Sequence, residues 1–195
     1  MEHIKKLNVG CGSNKIKGYI NIDGEASCKP DLILDITRKK LPYEDNSINE
    51  IVMFHCLEHI SKRFHSKVLL EFARVLKQGG SLIVSYPNFW ECAQRWYANT
   101  YGERTFWEAT IYGRQLYPGD SHVCIVDPDE LTELLCSCGF DGVYNFPEPD
   151  ELYNSVTVAT KCGEPIKTYE EAIASDMRET ESSVARVGNG AKHKK

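Results

Sequence analysis

The 195-residue sequence contains no apolar run long enough to span a bilayer, no surplus of basic charge and no Cys-x-x-Cys pair. Each absence removes a class of function. Met1 to Lys6 leads directly into a strand pattern rather than a secretory core, so neither membrane insertion nor export is predicted and a cytosolic protein is expected. With 23 Lys and Arg against 28 Asp and Glu, the formal net charge of −5 argues against a general electrostatic grip on nucleic acid. The eight cysteines are scattered, which favours reduced thiols over a disulfide framework or a zinc ribbon. Cys136 and Cys138 fall in a helical pattern and read as packing residues. What remains, 42% hydrophobic and 26% charged residues, suits a soluble globular chain of one domain plus a tail.

The most informative stretch is Leu7-Asn8-Val9-Gly10-Cys11-Gly12-Ser13-Asn14, a short apolar strand running into a turn of small residues. Two glycines one residue apart let the backbone turn sharply and bring its N–H groups close to a ligand. Tyr19 to Asp23 and Asp31 to Asp35 read as strands that each end in an acid, and Ile48 to Phe54 as a buried fourth strand. In open α/β sheets, acids at the carboxyl ends of strands face the ligand crevice, although Asp also favours turns and caps. Apolar residues from Phe64 to Leu76 recur at helical spacing, with Gly79-Gly80 as the expected stop, followed by a fifth strand over Ser81 to Tyr86. A helix from Pro128 and two strands, near Gly142 to Phe146 and Ser155 to Thr160, complete the pattern. Strands alternating with helices predict an α/β fold, a Rossmann-like mostly parallel sheet with helices on both faces.

Residues 88–122 interrupt that alternation with all three tryptophans, Trp90, Trp96 and Trp107, and with Phe89, Tyr97, Tyr101, Phe106, Tyr112 and Tyr117. Such density directly after a strand end predicts a substrate-side lid or a satellite core that holds the insert on the sheet. The expected organisation is a domain over 1–162 containing this insert, and a polar tail over 163–195 that is partly disordered.

Taken together, LNVGCGSN, YINID, DLILDIT, LPYEDNSINEIVMFHCLEHI and FARVLKQGGSLIVSYPN resemble class I S-adenosylmethionine-dependent methyltransferases, nearest to a small branch of the type 11 group. The resemblance covers Leu7 to about Phe146. It implies that Gly10, Cys11, Gly12, Ser13 and Asn14 cradle the methionine part of the cofactor. By the same resemblance Asp23 binds ribose, Asp35 and Ile36 lie near adenine, and His55 and Cys56 pass under the sulfonium. Two departures stand out. The first-strand position that is often acidic in the wider family is Asn8, and the span from Gly12 to Asp23 is too short for a full first helix. A nicotinamide reading fits less well, because the loop lacks a third glycine.

His55-Cys56-Leu57-Glu58-His59 also matches the H-x-x-E-H pattern of zinc hydrolases, in which two histidines a helical turn apart bind the metal. It follows a buried strand and lacks a third ligand fixed by spacing, so zinc hydrolysis is kept only as an alternative. Methyl transfer by alignment and water exclusion calls for no metal. For a hydroxyl acceptor, His122 is the leading candidate base and His55 the second, while a structural role for His122 in a turn remains open. The resemblance points to a small-molecule or saccharide acceptor with O-methylation favoured. A non-catalytic protein binding S-adenosylmethionine or its demethylated product is the other alternative, and the oligomeric state is open.

Overall fold

The computed structural model describes residues 5–98, 104–116 and 119–165. The expectations for Tyr101, Tyr117 and most of the tail lie outside these residues. Five parallel strands, β1 (Lys6–Val9), β2 (Ile20–Asp23), β3 (Leu32–Ile33), β4 (Ile48–Phe54) and β5 (Leu76–Pro87), carry most of one seven-stranded sheet. β6 (Phe140–Pro147) and β7 (Asn154–Lys161) complete it, with β7 antiparallel to both β5 and β6. The order is β3-β2-β1-β4-β5-β7-β6, so the chain leaves β1 in one direction for β2 and in the other for β4. That reversal opens a crevice beyond the carboxyl end of β1, where Gly10 begins the loop.

Helix α1 (His65–Val75) is amphipathic because Val68, Leu69, Phe72 and Val75 recur at helical spacing, and all four are fully buried. Each such side chain contributes about 1.5–3 kcal/mol relative to exposure. The helix stops before the glycines expected to end it. Leu76 is already extended and pairs with Ile48, and burying its side chain completely in the core outweighs another helical turn. Gly79 and Gly80 instead shape a bulge, across which the β4–β5 register moves from Ile48↔Leu76 to Glu50↔Ser81.

Helix cover is uneven. α1 and α4 (Pro128–Ser137) share one core with Leu7, Val9, Ile51, Met53, Leu82 and Val84, while the alternate residues Lys6, Glu50, Ser81, Ile83 and Val158 stay partly exposed. Between β1 and β2 the shortened first helix is reduced to turns, and only a 3-10 turn, Ala26–Cys28, joins β2 to β3. α2 (Phe89–Ala98) and α3 (Arg104–Tyr112) form the insert after β5. No helix among the described residues is long and apolar enough to cross a membrane.

Candidate active site

The glycine loop is pinned at both ends. The Gly10 and Cys11 N–H groups donate to the Ile22 carbonyl at 2.8 and 3.1 Å, and the Gly12 N–H donates to Asp23 Oδ2 at 2.7 Å. From the strand behind, Asn8 Nδ2 donates to the Asn14 carbonyl and to Asn21 Oδ1, each at 3.0 Å. A carboxylate at position 8 has no donor for these two acceptors, so Asn8 is a loop anchor here. Gly10 takes φ +69°, and a Cβ there would stand 2.1 Å from Cys56 Sγ. Gly12, at φ +49°, has no atom within 4 Å of where its Cβ would be. One glycine is required by contact with the end of β4 and the other leaves room for a ligand.

Opposite the loop, β4 ends in a left-handed residue, His55, at φ +48°. Leu57–His59 then form a single 3-10 turn, so His55 and His59 do not share an α-helical face as the H-x-x-E-H spacing suggested. The turn is stitched to residues beyond the insert. Val123 N–H donates to the Glu58 carbonyl at 2.9 Å, His122 N–H to the Tyr112 carbonyl at 3.0 Å, and Gly113 bridges Ser121. This brings His59 and His122 into an edge-to-face contact 4.7 Å apart, with a donor atom of each within 4.8 Å of the Glu58 carboxylate.

Glu58 is 2% exposed, and neither carboxylate oxygen has a hydrogen bond. His55 Nδ1 lies 3.5 Å from Glu58 Oε1 and His122 Nε2 lies 4.0 Å from it. Burial opposes a charge on His55, yet Glu58, Glu148 and Glu151 together raise its pKa above the ordinary value. Burial lowers that of His122, against the pull of Glu58. Burial, reinforced by Asp23, pushes the Cys11 thiol up to about 11, and burial raises Cys56 further, so both remain protonated thiols at neutral pH.

The loop, His55, Glu58, His59 and His122 line one cavity of about 530 Å³, which Phe106, Ala109 and Thr110 of α3 also line. The insert also forms a satellite core, in which Trp107, 1% exposed, packs edge-on against Tyr153 at 5.2 Å. Of the residues singled out in the sequence, Gly10 to Asn14, His55 and His122 meet in this cavity. Asp23 supports it from behind through Gly12. Cys56 packs over Gly10. Asp35 and Ile36 do not line it: Asp35 accepts from the Thr37 N–H and hydroxyl and pairs with Arg38, and Ile36 is buried in the core. Glu58 and His59 were missed as a site with His122, because 63 positions and an insert separate the turn from its partner.

Residues 25–84 match the family described as a methyltransferase domain. The fold is shared with solved S-adenosylmethionine-dependent methyltransferases. A structure of a SAM-dependent methyltransferase from Methanosarcina mazei is similar at TM-score 0.58 and 20% identity, over 84% of this chain and 95% of that one. One from Archaeoglobus fulgidus is similar at TM-score 0.59 and 15% identity, over 82% and 87%. A possible histamine N-methyltransferase from Thermotoga maritima is similar at TM-score 0.55 and 18% identity, over 80% and 81%. The chain spans about half the length of some larger structures it matches. No curated protein sequence matches it significantly. The open space beside Gly12, which lines the cavity, allows a ligand to approach the loop backbone closely.

Proposed function

We propose that this chain is an S-adenosylmethionine-dependent methyltransferase of the type 11 group, transferring a methyl group to a hydroxyl of a small molecule or saccharide. The observation that carries the reading is the single cavity with the glycine loop on one wall and histidines on another. Gly10 to Asn14 hold the amino-acid part of the cofactor, with Cys56 packed behind them. Asp23 takes the ribose hydroxyls with its remaining acceptor capacity, since a carboxylate accommodates more than the bonds from Gly12 and Glu25. Asp35 and Ile36 mark the adenine side, outside the cavity.

When bound, the cofactor supplies a methyl carbon activated by its sulfonium. The chain supplies alignment and dryness. Phe106, Ala109 and Thr110 exclude water from the acceptor side, making the insert the substrate-side lid. His122 is the leading base, since its Nδ1–H donates to the Ile111 carbonyl at 3.2 Å and leaves Nε2 free to accept the acceptor's proton. His55, drawn between Glu58 and Glu148, is the second candidate. The domain assignment over 1–162 with a tail beyond it belongs to this same reading, as does a cytoplasmic setting.

Isothermal titration with S-adenosylhomocysteine tests the cofactor site, with NAD as the comparison ligand. Saturable binding of S-adenosylhomocysteine alone, weakened in both Asp23→Asn and Asp23→Ala, is the expected result. Equal binding by wild type and Asp23→Asn would remove Asp23 from the ribose role. A His122→Ala variant is expected to lose turnover with cofactor affinity unchanged.

A further inference from the structure

We infer that Glu58, His59 and His122 form a binding site for a divalent first-row transition-metal cation at the acceptor end of the cofactor cavity. The inference deepens the proposed methyl-transfer site and rests on that reading for its role, though not for its chemistry; with His122 Nε2 on the ion, the acceptor's proton passes to His55, the second candidate base, rather than to His122. The donor atoms of these three residues all lie within 4.8 Å of one another. Atoms sharing one ion through bonds of about 2.1 Å stand roughly 3–4 Å apart, so small side-chain rotations complete the set.

Protonation points the same way. His59 Nδ1 lies 3.1 Å from the Ser121 carbonyl and His122 Nδ1 lies 3.2 Å from that of Ile111, and a carbonyl accepts only from N–H. Each neutral ring therefore carries its lone pair on Nε2. Backbone carbonyls that fix the tautomer in this way are the usual outer support of metal-binding histidines. His122 Nε2 then faces Glu58 Oε1 across 4.0 Å, acceptor toward acceptor. A carboxylate that is buried and has no hydrogen bond costs several kcal/mol unless a cation compensates it.

Two imidazoles and one carboxylate, with no thiolate, suit Mn, Fe, Co or Zn rather than Mg or Ca, which prefer all-oxygen ligands. Such ions take four to six ligands, so the remaining positions open toward the cavity, where an acceptor oxygen would reach them. His55 is not counted among the ligands, because its Nε2 is drawn to Glu148 at 3.7 Å.

The test is to strip the full chain with EDTA, titrate it with cobalt chloride and follow visible absorption. An equimolar, saturable d–d band is expected, with Glu58→Gln and His122→Gln each weakening Co²⁺ binding by at least about tenfold. No band in the wild-type protein, or unchanged affinity in both variants, overturns the site. Far-UV circular dichroism of the same samples checks folding, and ligands from two separate segments keep the location testable if one variant unfolds. Titrating the stripped wild type with S-adenosylhomocysteine separates the two proposals. Cobalt binding without S-adenosylhomocysteine binding sinks the cofactor site and leaves the metal site, and the converse sinks the metal site alone.

Discussion

At Gly10 a single hydrogen atom decides whether the loop forms. Alanine there would place its Cβ 2.1 Å from Cys56 Sγ and 2.6 Å from Cys56 Cβ, in a backbone conformation that L residues resist. Gly10→Ala is therefore expected to cost about 2–4 kcal/mol and to abolish S-adenosylhomocysteine binding, measured by urea unfolding and titration calorimetry. Adding Cys56→Ala should not rescue it, since the contact with the β-carbon persists. His65 carries a second prediction. Burial lowers its pKa below the ordinary 6.5 although Ile60 and Leu57 carbonyls favour its N–H. The unfolded chain then binds the proton more readily, so this contribution to stability is present above about pH 6.5 and is lost as pH falls through the folded value. His55, raised, acts in the opposite sense. His65→Gln, neutral throughout, should shrink the fall in urea midpoint between about pH 7.5 and 5.5. The glycines and Asp23 were legible in the sequence because each acts through local backbone. The Glu58–His59–His122 cluster was not, since it depends on a 3-10 turn meeting the last residue of the insert. Asp35 has a local role besides, because an acid after a strand also serves as a turn cap, as it does with Thr37.

Among the elements, the strands were legible because their apolar runs are short, continuous and rich in branched residues, and β4 matches its expected span from end to end. Boundaries that depend on tertiary pairing were not. Nothing local to Leu76 says that strand pairing with Ile48 will end α1, or that Gly79-Gly80 will become a bulge. Within the insert, satellite packing and cavity lining fall to different residues. Trp107 anchors α3 against Tyr153, with the Arg95 guanidinium 5.9 Å from its ring, whereas Phe106 and Thr110 face the cavity. Trp107→Ala should cost about 3–5 kcal/mol of local packing, released chiefly in the insert. Hydrogen exchange is expected to accelerate over 89–112 while β1, β4 and β5 keep their protection, and S-adenosylhomocysteine should still bind because the glycine loop is untouched. Uniform acceleration across the sheet would mean that the insert is part of the main core.

For the molecule as a whole, the position of the loop determines how far cofactor binding is felt. The loop is bonded to β2 through Ile22 and Asp23, packs against the end of β4 through Cys56, and continues directly from β1. These are the central strands, on which α1 and α4 build the shared core. A ligand gripping the loop thus braces the sheet where most of the apolar burial lies, and the stabilisation should be global. At 100 times its Kd, S-adenosylhomocysteine adds about 2.7 kcal/mol, and 1 kcal/mol moves Tm by about 2–4 °C in a chain of this length, so a rise of roughly 5–11 °C is expected. Scanning calorimetry should show one transition moving as a unit, with NAD leaving it in place. A shift confined to a minor early transition would instead mean that the ligand grips the insert, which follows β5 and lines the cavity through Phe106, Ala109 and Thr110 of α3.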